Sequence, residues 1–375
     1  MKVLYVATVV SHICQFHLPY LEMLHNQGIE VHVAARNNLA EKNGLQLKFT
    51  DKYFDIPFQR SPKDRRNITS YKQLKRVIKE NHYDLVVCNT PMGGFLTRIA
   101  ARKTRKKGTR VVYMAHGFHF YKGAPKKYWM VFYPVEKLFA RLCDMVITIN
   151  EEDYLCAKEN FKTDVRHIHG VGVKTERFFS TDDSTKVEIR RGLGVSEQDF
   201  LILCTGELNK NKNQTQLIEA AYLLKDKMPN LKVLLAGNGP YEEVLLKQVE
   251  EYNLSETVKL LGYRTDIEKI VAASDLIVSC SKREGLGLNV IEGMLSKKPI
   301  VATINRGHTE LIKNSVNGFL VNIGDDTTMA DRIYDIATDI KRAGEMGLQG
   351  YEIAQKYTVD SVKQELTQML FKDIL

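Results

Sequence analysis

The chain has 375 residues, 44% of them hydrophobic and 26% charged, the balance of a globular protein of two or three domains. No run of about 18 apolar residues occurs, which argues against a membrane-spanning helix. Lys2-Val3-Leu4-Tyr5-Val6-Ala7 enters a strand at once, with no signal-peptide pattern. The net charge of +9 is unevenly spread: from Arg60 to Arg141 there are 20 lysines and arginines against four acidic residues, Asp64, Glu80, Asp84 and Glu136. Such asymmetry suits an extended anionic partner, either nucleic acid or an anionic membrane surface, or else solvated helix faces. The six cysteines are scattered with no C-x-x-C pair, and read as buried, reduced thiols of a cytoplasmic protein.

Apolar runs and helical patterns alternate along the whole chain. In the first half, strands are expected at 2–7, 29–35, 84–88, 110–115 and 144–149, with helical period over 16–27, 69–81 and 92–106. Asp84-Leu85-Val86-Val87-Cys88 and Arg110-Val111-Val112-Tyr113-Met114 are near-continuous apolar runs, the signature of buried parallel strands. Thr8-Val9-Val10-Ser11-His12 reads as the loop after the first strand, and His116 stands at the carboxyl end of a later one, with His119 just beyond. Lys126-Lys127-Tyr128-Trp129-Met130-Val131-Phe132-Tyr133 sets aromatics beside lysines, a mix that fits either a membrane interface or one helix packed on a core. The composition turns polar over 174–199, where a domain boundary is expected. A second series of strands follows at 200–205, 231–236, 257–261, 275–279 and 299–302, and Val359 to Leu375 has the pattern of an amphipathic helix. The alternation predicts an α/β protein with two doubly wound sheets.

Four segments carry candidate chemistry. Gly206-Glu207-Leu208-Asn209-Lys210-Asn211-Lys212 follows a strand and precedes a helix, where a lysine and backbone N–H groups can meet a diphosphate from the same side. Gly237-Asn238-Gly239-Pro240 allows a tight strand-to-helix turn and reads mainly as structural. Gly262-Tyr263-Arg264 ends the next strand, at the edge where open α/β sheets bind ligands. In Glu284-Gly285-Leu286-Gly287-Leu288-Asn289-Val290-Ile291-Glu292, two carboxylates stand eight positions apart around a glycine turn that opens a helix. This last segment resembles the E-x7-E motif of glycosyltransferase family 4, and the likeness extends over nearly the whole chain.

The resemblance implies the GT-B plan: two Rossmann-like doubly wound domains with an interdomain cleft. They are expected at 1–178, on the acceptor side, and 179–355, binding the nucleotide-sugar, with a helix at 356–375 crossing back to the first. It implies a retaining transfer in which the leaving diphosphate takes the acceptor's proton, so that no protein nucleophile is needed. His116 and Glu284 are then the catalytic residues. Gly206, Lys212, Tyr263, Arg264, Gly287, Leu288, Asn289 and Glu292 would bind the donor. Two departures stand out. Glu207 replaces the family's arginine, leaving Lys210 as a substitute cation, and the first-strand loop lacks the usual glycine pair, leaving Ser11 or His12 as donors there. No D-x-D triplet is present, so no metal and no cofactor are expected beside a UDP-sugar co-substrate. The basic first half suggests a peripheral enzyme at the inner face of the cell membrane acting on a lipid-linked saccharide in surface polysaccharide assembly, with no nucleic acid. A nucleotide-sugar 2-epimerase of the same plan and a non-catalytic sugar-nucleotide-binding subunit are the alternatives.

Overall fold

The computed structural model describes residues 1–41, 44–178 and 181–371. The chain divides into two compact units, Met1–Gly172 with the chain from Val362 on, and Val173–Ser361. The division falls at Gly172, ahead of the expected 178; residues 179 and 180, where the second domain was expected to begin, lie outside the described residues, as do 372–375 of the expected terminal helix.

In the first unit the strands are β1 (Lys2–Val9), β2 (Glu30–Arg36), β3 (Lys52–Asp55), β4 (Leu85–Asn89), β5 (Arg110–Ala115), β6 (Met145–Thr148) and β7 (Asp164–His167). They form one sheet in the order β3-β2-β1-β4-β5-β6-β7, and every pair is parallel. The second unit holds β8 (Phe200–Thr205), β9 (Leu231–Ala236), β10 (Val258–Gly262), β11 (Leu276–Ser279), β12 (Ile300–Thr303) and β13 (Gly318–Val321), ordered β10-β9-β8-β11-β12-β13 and again parallel. In both sheets the strand order reverses beside the first strand. Crossovers of one hand that run in opposite directions put helices on opposite faces, so each sheet is doubly wound.

Burial follows from this. β4, β11 and β12 are buried along their whole length, as continuous apolar runs require when both faces are covered. β3 (KYFD) and β7 (DVRH) were not expected from the sequence; each is a four-residue edge strand with polar positions and no apolar run. β13 was missed too: it is the opposite edge of the second sheet, and only four residues long. The helical stretch 16–27 is interrupted, with helices Val10–Phe16 and Leu18–Asn26 meeting at His17, and 92–106 is Pro91–Ala100 followed by the short Arg102–Arg105. The last helix, Val359–Leu366, continues into one π-helical turn over Thr367–Phe371. Arg110 holds that turn in the first unit by donating to the carbonyls of Met369 and Leu370, 3.0 Å each. The two points where the chain passes between units are tied together: Val173 N–H donates to Tyr357 O (2.9 Å), and Val359 N–H donates to Val173 O (3.0 Å).

All six cysteines are free thiols, five buried and Cys156 half-buried, and burial pushes Cys14, Cys143, Cys156 and Cys204 up to about 11. They pack as small apolar groups, with no nucleophile among them. Helix Pro91–Ala100 lies close on β1 and β5 because Gly93 and Gly94 have no side chains: a Cβ on Gly94 would come within 2.4 Å of the Tyr113 ring. Gly94→Ala is therefore expected to destabilise the protein by about 1–3 kcal/mol through overpacking. Urea unfolding of the variant beside the wild type measures it, and equal midpoints would mean that Tyr113 can move aside.

Candidate functional site

The most ordered set of functional groups lies at the carboxyl edge of the second unit's sheet. Parallel strands deliver the loops after β8, β9, β10 and β11 to that one edge. The loops pack backbone on backbone. A Cβ on Gly237 would stand 2.0 Å from the Gly206 carbonyl oxygen, and one on Gly239 would stand 2.2 Å from that of Leu208. Gly237 N–H donates to Gly262 O (2.9 Å), which joins the β10 turn to the same stack. Gly206 itself has φ +142°, a backbone position suited to glycine. The Gly-x-Gly-Pro segment is thus a structural turn that props the loop after β8.

That loop presents Lys212. The Asn209 side chain accepts from Asn211 N–H and Lys212 N–H, fixing the backbone, and Lys212 Nζ reaches Glu284 Oε1 at 2.6 Å. Asn211 bridges to the next loop, accepting from Lys282 N–H (2.7 Å) and donating to Arg283 O (3.0 Å). Glu284 sits just ahead of helix Leu288–Leu295, whose start at Gly287 has no side-chain cap and no acidic residue in its first turn. The N–H groups of Gly287, Leu288 and Asn289 therefore stand at a positive helix end. Beneath Gly287 lies His308, wholly buried, with Nδ1 on Thr303 O (2.7 Å) and Nε2 on Ser279 Oγ (3.1 Å). The Asn289 amide donates to the same Ser279 hydroxyl (3.2 Å), so its side chain braces the turn. His308 and Ser279 were not selected from the sequence; their signal is only that Ser279 ends a buried strand and His308 stands in the short helix Arg306–Leu311 after the next one.

Glu292, one turn along the helix, is half-buried, and desolvation raises its carboxyl to about 7, with Glu268 adding to the shift and Arg177 and Lys212 opposing it. Tyr263 is 63% exposed, whereas Arg264 is engaged by Asp266 in its own turn (2.7 and 2.9 Å). Arg264 thus enters as a turn-fixing residue. Glu207 is exposed and accepts from Asn209 (3.0 Å), and Lys210 is exposed beside it.

In the first unit the expected loop after β1 is absent. Helix Val10–Phe16 begins directly at the strand end, because the apolar pair Val9-Val10 continues the buried run into the first turn. Ser11 is buried there, its N–H donating to Asn38 Oδ1 (3.1 Å) and its hydroxyl accepting from Asn38 Nδ2 (2.9 Å), so it anchors the end of β2. His12 is brought to His116: the two Nε2 atoms are 3.3 Å apart, and His116 Nε2 also meets Asn89 Oδ1 at 3.1 Å. His17 adds a third ring, 5.4 Å from each of the others by centroid. Burial lowers all three imidazoles, His12 to about 4, so they are neutral near pH 7. His119 stacks on Phe132 (4.6 Å). Thr90, at the end of β4, has φ +64°, a strained conformation for a β-branched residue, and its hydroxyl meets that of Thr8 at 2.7 Å.

Glu292 sets a pH dependence. Its ordinary carboxyl value is 4.5, against about 7 in the fold. Below the lower value both states are protonated and nothing is lost. As pH rises through that window the unfolded chain ionises first, so stability falls and then levels off above 7. Glu292→Gln keeps the neutral form, and should remove that fall, making the variant more stable than wild type at pH 8 by up to about 3 kcal/mol and equal to it near pH 4. Urea midpoints of both proteins across that range test this, and parallel curves would contradict it.

Similarity to known proteins bears on the family and the fold. A family model described as "Glycosyl transferases group 1" matches residues 185–353, and one described as "Glycosyl transferase 4-like" matches residues 2–150. The chain is 44% identical over 97% of its length to 95% of the Bacillus subtilis (strain 168) protein named "Putative glycosyltransferase EpsD". It is 28% identical, over 73% of each chain, to an Escherichia coli protein named UDP-Gal:alpha-D-GlcNAc-diphosphoundecaprenol alpha-1,3-galactosyltransferase. Among solved structures, Anabaena Alr3699/HepE in complex with UDP superposes with a TM-score of 0.80 over 99% of this chain and 100% of that one, at 22% identity, a likeness of fold. Two parallel Rossmann-like sheets, a match to a family model in each half and a relative this similar over nearly its full length place the chain in one family: it belongs to the family-4-type glycosyltransferases of GT-B fold.

Proposed function

We propose that the chain moves a sugar from a UDP-sugar to a lipid-linked saccharide, with retention at the anomeric carbon and without a divalent metal on the diphosphate, as a step of surface polysaccharide assembly. The observation that carries this reading is Lys212 Nζ held 2.6 Å from Glu284 beside the uncapped start of helix Leu288–Leu295. An ammonium and a positive helix end together suit a diphosphate. A uridine nucleotide is favoured by the neighbour named with UDP, and a lipid-linked acceptor by the relative named for a diphosphoundecaprenol substrate.

On this reading donor binding exchanges partners. The diphosphate takes Lys212, and the released Glu284 carboxylate accepts from sugar hydroxyls. Glu292 accepts from the ribose, and the N–H groups of Gly287, Leu288 and Asn289 donate to phosphate or sugar oxygens. The acceptor oxygen bonds to the anomeric carbon as the bond to the diphosphate breaks. The acceptor's proton passes to the departing diphosphate oxygen on the same face. In the first unit, His116 is the residue proposed to touch the sugar.

A membrane surface fits helix Lys126–Phe139. Among its described residues none is buried, and Met130, Val131 and Leu138 are 76%, 56% and 57% exposed, with Trp129 and Val135 also exposed. The rings of Phe132 and Tyr133 pack against the first unit's core, so the most exposed apolar side chains, Met130, Val131 and Leu138, are aliphatic. Lys126 and Lys127 stand exposed at its start. Apolar side chains flanked by lysines suit an anionic bilayer interface. No helix among the described residues is long and apolar enough to cross a membrane.

Two experiments test the reading. UDP release from a panel of UDP-sugars, with a lipid-linked acceptor and EDTA present, should proceed with one sugar and fall about 100-fold or more in Glu284→Ala. Undiminished release in that variant would remove Glu284 from the site. Sedimentation with phosphatidylglycerol vesicles should weaken when Lys126 and Lys127 are both changed to Gln. Unchanged binding would leave this helix as ordinary surface.

A further inference from the structure

We propose that His12, His17 and His116 form a binding site for a divalent d-block cation of the zinc class. One ring nitrogen from each lies within 4.8 Å of the others, and among the described residues this is the only group of three such ligands so placed. The His12 and His116 Nε2 atoms are 3.3 Å apart. Two Zn–N bonds of about 2.0–2.1 Å at a tetrahedral angle set their nitrogens about 3.4 Å apart, so this pair already has the spacing of two ligands.

His17 supplies the independent observation. It is 0% exposed, and neither of its ring nitrogens has a hydrogen-bond partner. A buried imidazole left so costs about 1–3 kcal/mol, and coordination satisfies its lone pair. A continuous helix would place residues 12 and 17 about 140° apart around its axis. The break at His17, which has φ −121° and separates helices Val10–Phe16 and Leu18–Asn26, returns its ring to the other two. A cation on His116 Nε2 takes the place of the proton shared with Asn89 Oδ1, and that amide oxygen is then available to the fourth position. Three imidazoles select Zn²⁺, Ni²⁺ or Cu²⁺, whereas Mg²⁺ and Ca²⁺ prefer oxygen ligands.

The site is distinct from any metal on a diphosphate. Its occupancy withdraws His116 Nε2, so the cation would inhibit transfer; that consequence rests on the function proposed above.

The test uses the full chain, stripped with EDTA and dialysed, then titrated with Co²⁺. One Co²⁺ per chain should bind with visible d–d bands of tetrahedral intensity, displaced by Zn²⁺ and not by Mg²⁺. His12→Ala and His116→Ala should each abolish the bands, with circular dichroism reporting an intact fold, while His82→Ala at the surface leaves them in place. Weak octahedral bands only, or bands that survive His12→Ala, would overturn the site and mark adventitious binding to surface histidines. These readings need no activity, so they hold or fail whether or not the chain transfers sugar. Unchanged UDP release from a Zn²⁺-saturated enzyme would overturn the inhibitory role alone.

Discussion

Parallel strand pairing is the constraint on which the rest of this molecule depends. Every strand of the second sheet runs the same way, so every strand-to-helix turn emerges at one edge. There the turns after β8, β9 and β10 touch through backbone, at distances that only glycine permits at 237 and 239. This stack is stiff because nothing in it is a side chain with rotamers to exchange. Lys212 and Glu284, 72 positions apart in sequence, meet at 2.6 Å because the loop after β8 is seated on this stack and Asn211 bridges it to the loop after β11.

The same edge concentrates partial positive charge. The start of helix Leu288–Leu295 is open, and His308 fills the space behind Gly287 so that the backbone there cannot collapse. Glu284 neutralises Lys212, which keeps a half-buried ammonium from standing unpaired. On the function proposed above, a dianionic diphosphate would displace this one carboxylate from that cation.

The basic excess of the first unit divides into buried structural arginines and exposed cations. Arg98, Arg105 and Arg110 are structural. Arg98 is buried against Glu136 and the Tyr113 ring, Arg105 pairs with Asp144, and Arg110 holds the terminal π-helical turn. The remaining cations are mostly exposed, and helix Lys126–Phe139 of the same unit leaves aliphatic side chains in solvent. The unit also gathers three neutral imidazoles beyond the carboxyl ends of β1 and β5, and Thr90, at the end of β4 between those strands, is held in a strained backbone conformation.

The sequence by itself determined the sheet architecture. Continuous apolar runs such as residues 85–88 and 276–278, alternating with helical patterns, fit a parallel sheet covered on both faces, and the glycine turn after β11 marks the ligand edge. It also marked the Glu284–Glu292 segment and Lys212 as candidates, through their likeness to a family's motifs, and the fold brings Lys212 and Glu284 together. What only tertiary structure decided are relations between distant residues. Ser11 went to Asn38, Arg264 was taken by Asp266 of its own turn, and the short edge strands β3, β7 and β13 formed by pairing rather than by pattern. The meeting of His12, His17 and His116 depends on a helix break and a strand crossing, neither of which any local periodicity encodes. Propensity acts over a few residues; these contacts are set by where the chain returns.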